Sequence, residues 1–360
     1  MKVLVLSKYG PRAASPRIRF LAYREGLAAR GIRLEFSPLL DDAYLAERMT
    51  SGRISWLKVA EDYARRLRTL AGARNYDVVW LHCELFPYVP PVFETLLRRL
   101  GTPYAFDFDD AIFHGYDSSP SLLVRTLLGD KIRRVIEGAE AVTAGSAYLR
   151  DFAMQFNAQV TWVPSVVDLS DYPANRLKGD RPFTIGWLGS PSTAPALELL
   201  IRPAEELARD GPLRVHAIGG RFPQVRGVQV ENRDWSEGCE PYELAEVDLG
   251  VMPLLDSPWS YGKCAFKLVQ YMAAGLPTVS TPIGANLDVA TVRTGFWARN
   301  SVEWTHALRQ LRDAPDTRKR MGRAGRQRVE EHYCLTQTLP VVEGVLRQTA
   351  GRRVDFVPER

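Results

Sequence analysis

Cysteine, histidine and lysine are all scarce in this chain. Cys83, Cys239, Cys264 and Cys334 are the four cysteines in 360 residues, far apart and without C-x-x-C spacing. That excludes a zinc ribbon or a disulfide framework, and each reads as a small, largely buried apolar residue. The five histidines form no H-x-x-x-H pair. No apolar run approaches the ~18–20 residues that span a bilayer, and the opening MKVLVLSKYG reads as a strand and a loop rather than a leader. The expectation is a cytoplasmic protein. No G-x-G-x-x-G follows the first apolar run or Thr184–Leu188, so a dinucleotide oxidoreductase loses its main support. A phosphate loop of the Walker type is missing too, because Gly262-Lys263 runs into Cys264 with no upstream glycine in register.

What is present is an ordinary globular composition, 46% hydrophobic and 25% charged, which excludes a disordered or collagen-like chain. The length suits two domains. Cations outnumber anions, 47 to 42, and only eight of them are lysines. An arginine excess favours anionic partners. On composition alone that anion can be a phosphate, nucleic acid or a lipid headgroup.

Short apolar runs alternate with helix-length segments, the pattern of an α/β fold with parallel strands. Strands are expected at Val3–Leu6, Leu34–Ser37, Val78–Leu81, Tyr104–Phe108, Ala141–Ala144 and Val160–Val163. Helices are expected near Pro16–Ala29, Trp56–Ala71, Val92–Leu100, Leu122–Ile136 and Tyr148–Phe156. Pro164–Pro182 reads as a linker. The pattern restarts with strands Thr184–Leu188, Val215–Ile218, Leu249–Val251 and Thr278–Ser280, and helices near Ala196–Arg209, Phe266–Ala274 and Val302–Leu311. The expected domains are 1–164 and 183–335. A helix and tail over 336–360 can cross back to the first domain. Two Rossmann-like halves of this kind place the C-terminal edges of their sheets beside a cleft, where open α/β sheets bind ligands.

Three stretches carry chemistry. After the first strand, Tyr9 and Gly10 lead to Ser15-Pro16, an N-cap followed by proline at the first helical position, with Arg17 and Arg19 in the first turn. Such a helix start suits an anion, and the same residues also suit a solvated surface helix. Asp107-Phe108-Asp109-Asp110 ends a strand. An Asp-x-Asp can hold a divalent cation against a diphosphate, and it can equally be a polar turn. The densest stretch is Trp259–Pro277, where Gly262 and Lys263 enter a helix with Lys267 and Gln270 on one face and Gly275 at its end.

That last stretch, with Gly186–Thr193, Pro253-Leu254, Pro282-Ile283-Gly284 and the basic Met321–Arg326, resembles retaining glycosyltransferases of the GT-B fold, family GT4 (glycosyl transferases group 1). Those enzymes carry a helix of the type K-x-x-E-Y-M-A-x-G-x-P-V. The resemblance covers most of 183–350 and the first half more loosely, with Asp109-Asp110 where many members have His-Asp. It implies a retaining transfer from a nucleotide-diphosphate sugar, UDP favoured over GDP, to a hydroxyl acceptor, in polysaccharide, glycolipid or natural-product synthesis, without a metal or other cofactor. It also removes nucleic acid from the expected partners. Lys263, Lys267, Asp109 and Asp110 become the expected catalytic group. Gly189, Ser190, Gly220, Trp235, Gly262, Cys264, Ala265, Phe266 and Gln270 become the donor contacts, with Tyr9, Gly10, Arg17 and Arg19 on the acceptor or phosphate side. Two departures stand out. The family's acidic pair, eight residues apart, reads Gly262 and Gln270, and its Arg and Lys after the first strand of the second domain are replaced by Ser190 and Ser192-Thr193. The alternatives are a nucleotide-sugar isomerase, a non-catalytic nucleotide-sugar binder, and a GT-A enzyme resting on Asp107 and Asp109.

One further segment, Trp56–Arg74, combines apolar Trp56, Leu57, Val59, Tyr63, Leu67 and Leu70 with Lys58, Arg65, Arg66, Arg68 and Arg74. A stripe packed on the sheet with solvated arginines explains it, and so does peripheral contact with the inner face of a membrane.

Overall fold

The computed structural model describes residues 1–44, 47, 55–173 and 181–351. Part of the expected linker, 174–180, and the expected tail, 352–360, lie outside them. The chain divides into two compact units, Met1–Pro164 together with the residues from Thr338 on, and Ser165–Gln337.

The first unit is a six-stranded sheet, every pairing parallel: β1 (Lys2–Tyr9), β2 (Arg33–Leu40), β3 (Val78–His82), β4 (Tyr104–Phe108), β5 (Ala141–Ala144) and β6 (Val160–Trp162), in the order β2-β1-β3-β4-β5-β6. Strands β3, β4 and β5 are buried along their whole length, which is why they read as unbroken apolar runs. The second unit repeats the plan with β7 (Phe183–Leu188), β8 (Leu213–Ile218), β9 (Val228–Arg233), β10 (Leu249–Met252), β11 (Thr278–Ser280) and β12 (Gly295–Trp297), in the order β12-β11-β10-β7-β8-β9. All these pairings are parallel as well. The strand order reverses between β1 and β3 in one unit and between β7 and β10 in the other. Those two reversals are the crevices at which such sheets bind ligands.

Several expected elements differ in detail. The helix expected over Pro16–Ala29 is broken into Ala14–Arg19, a 3-10 turn Leu21–Tyr23 and Arg24–Ala29. Ser15 does not cap it: the helix starts at Ala14 after Ala13, with no side-chain cap. The helix expected over Leu122–Ile136 divides into Leu122–Leu128 and Lys131–Gly138 around Gly129-Asp130. The final helix, Leu335–Ala350, belongs from Thr338 onward to the first unit. There the Tyr23 and Thr338 hydroxyls lie 2.8 Å apart, Arg30 pairs with Glu343 at 2.7 Å, and Gly26 leaves room for Leu339. At the base of the second unit Val167 and Cys334 form an isolated parallel bridge.

The helix Trp56–Ala71 buries charge as well as carbon. Its inward face carries Asp62, Arg66 and Leu70, spaced four residues apart. Arg66 is fully buried and donates to the carbonyls of Ser7 and Ser37 at 2.6 and 2.9 Å. Burial pushes its guanidinium down to about 9. Arg66 is therefore a core residue, not one of the solvated arginines expected here.

Arg19 is also core. It is 2% exposed, and its Nε and NH2 grip Asp107 at 3.1 and 2.5 Å while NH1 donates to the Val163 carbonyl at 2.5 Å. The Thr143 hydroxyl donates to Asp107 at 2.6 Å. Removing one member of a buried, hydrogen-bonded ion pair strands the other, at a cost of about 3–5 kcal/mol. Arg19→Met is expected to lose that much in urea unfolding. A loss under about 1 kcal/mol would return Arg19 to the expected phosphate role.

Candidate functional site

In the second unit the crevice lies between β7 and β10. Their pairing stops at Ile185↔Leu249 and Gly186↔Gly250. Beyond it a side chain takes over: the Tyr271 hydroxyl accepts from the Leu188 N–H at 2.7 Å and donates to the Val251 carbonyl at 3.1 Å. Burial pushes this phenol well above its usual range, so it stays a neutral donor. The ring lies flat enough on Gly250 that a Cβ there would come within 2.1 Å of it. Tyr271 belongs to the helix Phe266–Ala273, which is buried continuously from Leu268 onward. The helix closes on Gly275, whose φ of +66° permits bonds from Gly275 N–H to Met272 and from Leu276 N–H to Tyr271.

The same helix carries Lys267. Its Nζ is 3.1 Å from the Thr193 hydroxyl and 4.7 Å from the centre of the Trp187 indole, which is 1% exposed. Gly189 and Gly220 approach that indole so closely that a Cβ on either would fall 2.1 or 2.7 Å from it. Thr193 is saturated, since its Oγ1 also accepts from Ser190 N–H at 3.2 Å and donates to the Ser190 carbonyl at 3.0 Å. Burial pushes the Lys267 ammonium down to about 7, with Lys263 adding like-charge repulsion. Lys263 reaches over the Trp259 ring at 5.7 Å. Gly262 and Cys264, on either side of Lys263, are buried, and Ala265 adopts a φ of +52°, a costly conformation for a residue with a side chain. Phe266, partly exposed, opens the helix. Gln270 is buried and donates to the Tyr172 hydroxyl at 3.3 Å, which leaves its carbonyl oxygen as an acceptor. Trp235, half-buried, donates from Nε1 to Glu240 at 3.0 Å.

The structure thus brings Gly189, Gly220 and Lys267 around one ring, with Ser190 tied to Thr193. Trp187 and Thr193, which hold that arrangement, are not among the expected site residues. Trp187 reads in sequence as one more apolar strand residue, and nothing local marks Thr193 as the partner of a lysine 74 positions on.

In the first unit, Asp109 accepts from His82 Nε2 at 3.1 Å and is hydrogen-bonded by Ser15. Burial works against its charge, but His82, Arg19 and Ser15 outweigh it and hold the carboxyl well below the usual range. Burial likewise opposes a charge on His82, and the neighbouring Cys83 sulfur and Asp109 carboxylate raise it above its ordinary value. His82 is a functional candidate that the scarcity of histidines hid, because its partner lies 27 residues away. Asp110 is partly buried beside Asp109. Tyr9 carries the Lys8 ammonium over its ring at 5.4 Å, and Gly10 packs against Asp42, whose Oδ1 would lie 2.4 Å from a Cβ there. Arg17 is half-buried on the same short helix as Arg19.

Among the described residues, two groups could each offer ligand atoms to one ion, His82–Cys83–Asp109 and His216–Glu231–Glu246. Both are internally paired. Asp109 binds His82, and Arg214 bridges Glu231 and Glu246 at 3.2 and 3.3 Å. Asp107 is spent on Arg19, so Asp107 and Asp109 do not form the free Asp-x-Asp pair of the GT-A alternative.

Residues 182–313 match the family described as "Glycosyl transferases group 1". A putative teichuronic acid biosynthesis glycosyltransferase of Bacillus subtilis, TuaH, is 26% identical over 170 residues, and the match spans 41% of this chain and 42% of that protein's length. Sucrose-phosphate synthase from Thermosynechococcus elongatus superposes with a TM-score of 0.69 at 13% identity, covering 97% of this chain and 98% of that one. Anabaena Alr3699/HepE in complex with UDP-glucose gives a TM-score of 0.69 at 13% identity over 96% of this chain and 99% of the other. The two parallel-sheet units are those of the GT-B fold, as expected, and the family match falls within the second unit.

Tyr271→Phe removes one atom and leaves the Leu188 N–H and Val251 carbonyl without their partner. An unsatisfied buried polar group costs about 1–3 kcal/mol. The variant is expected to lose that much stability in urea unfolding, and an unchanged midpoint would mean that the strands close the gap themselves.

Proposed function

We propose that this protein is a glycosyltransferase that moves a sugar from a nucleotide-diphosphate donor to a hydroxyl acceptor with retention of configuration. The observation that carries the reading is the pair Lys263 and Lys267 at the entrance of one helix, at the ligand-binding crevice of the unit in which the family match falls. As the glycosidic bond breaks, negative charge grows on the departing diphosphate, and a pre-placed positive group stabilises it most in the transition state. Lys263, Lys267 and the N–H groups opening the helix at Phe266 supply that charge. Gly189 and Ser190 pack against the phosphates, Gln270 accepts from a ribose hydroxyl through its carbonyl oxygen, and Trp235 borders the base. A UDP-sugar is the favoured donor, in keeping with the UDP-glucose bound by the Anabaena protein. Asp109, oriented by His82, and Asp110 serve the acceptor in the first unit.

No divalent metal is needed in this scheme, because protein cations take the place that a metal holds against a diphosphate. Donor turnover is expected to survive exhaustive EDTA treatment. Activity lost to EDTA and restored by Mn²⁺ or Mg²⁺ would move the diphosphate to a metal site. Lys263→Ala is expected to lower kcat for UDP-sugar turnover by about 10²-fold with a smaller change in donor binding, and Lys267→Ala to lower kcat by at least as much. Wild-type kcat in both variants would overturn the phosphate assignment. Product analysis without acceptor separates transfer from isomerisation, and turnover of any kind excludes a mere binder.

The acceptor is assigned to the first unit and to a lipid-linked class. The support is a set of exposed apolar side chains among cations: Trp56 and Leu57 on one helix, and Leu122, Leu123 and Leu127 on another, with Lys58, Arg68 and Arg125 beside them. No described helix is long and apolar enough to cross a membrane. Peripheral contact through these residues gains about 1 kcal/mol for each basic group near an anionic surface. Co-sedimentation is expected with anionic vesicles only, weakened by salt and by Leu123→Ser with Leu127→Ser. Arg66 is unsuitable for this test because it is core. Absence of binding to either vesicle type would indicate a water-soluble acceptor.

A further inference from the structure

Lys267 is half-buried and lies away from any carboxylate among the described residues. Its ammonium rests on an indole face and one hydroxyl. The segment Gly189–Thr193 packed against it has no titratable side chain. After β8, Arg221 is paired with Asp234 at 2.7 Å, and after β9 Glu240 takes the Trp235 N–H. Its own helix, Phe266–Ala273, carries no acid. Among the described residues the charge that acts on Lys267 is Lys263, and it repels. The site therefore holds a cation with its counter-charge missing, while its polar contact, Thr193 Oγ1, has no capacity left.

We propose that Lys267 takes up a proton from solvent as the donor's diphosphate arrives, so that donor capture is coupled to pH. This rests on the donor-site reading above and deepens it. In the empty site the amine is divided between its neutral and charged forms near neutrality, since burial and Lys263 hold it at about 7. A diphosphate beside Nζ supplies the missing negative charge and returns the group toward an ordinary lysine, which is charged throughout the physiological range. The neutral amine binds one proton and no other bond changes. The sign follows from linkage: the bound state holds more protons, so affinity falls as pH rises above the empty-site value.

Isothermal titration with UDP-glucose reads this directly, because its two phosphates keep the same charge from pH 6 to 9. Heats measured at pH 8 in HEPES and in Tris, whose ionisation enthalpies differ, are expected to show a net proton uptake at each site. The uptake is smaller at pH 7, and toward alkaline pH affinity drops by up to about tenfold per pH unit. Lys267→Arg keeps the charge at all these pH values. It is expected to bind with no uptake and a flat pH profile, which a histidine or a purely structural effect elsewhere would not produce. Wild-type binding without uptake, or equal uptake in the arginine variant, overturns the proton coupling and leaves the donor site standing. If neither UDP-glucose nor GDP-mannose binds the folded wild-type protein, the donor-site reading falls and the coupling with it.

Discussion

The second unit depends on one hydroxyl. Parallel strands β7 and β10 separate at their C-terminal ends, and separation is what makes a crevice, but it also strips two backbone groups of their partners. Tyr271 fills both vacancies at once. Its ring requires Gly250 beneath it, and its helix must start one turn earlier, where Ala265 bends through a strained φ and the two lysines stand. The backbone need of the sheet therefore fixes the position of the charge. Opening the crevice and aiming the cations at it are one event.

A second constraint is the indole of Trp187. Gly189 and Gly220 are small because the ring lies against both, and Lys267 sits over its face. An aromatic face attracts a cation without neutralising it. A carboxylate in the same place would hold the lysine more firmly and would also compete with any incoming anion. The Ser190 to Thr193 turn after β7 brings no cation of its own, and Lys267 reaches Thr193 from across the crevice.

The sequence was legible wherever burial is symmetrical. Strands covered on both faces show as unbroken apolar runs, and all ten expected strands are present. The two that were missed are sheet edges. β9 is VQVENR, polar along most of its length, and β12 is the three residues GFW. Neither carries a periodic signal. Charge was harder to read. Arg19 and Arg66 look like solvated residues on amphipathic helices, yet both are buried, because each finds carbonyl or carboxylate acceptors far away in sequence. The same distance problem hid His82 and Thr193. A local pattern announces a helix and its lysines, but the partner that sets a side chain's chemistry comes from the fold.

The path of the chain has a consequence for how the molecule is made. The first unit is assembled from both ends of the polypeptide: Tyr23, Gly26 and Arg30 await Thr338, Leu339 and Glu343, more than 300 residues downstream. The second unit is continuous, and its two ends are already tied side by side by the Val167–Cys334 bridge. During synthesis from the N-terminus, domains ordinarily mature in the order of their emergence. Here the order is inverted. The inner segment can complete its fold while the outer one still lacks its last helix, so the part of the protein born first is the part finished last.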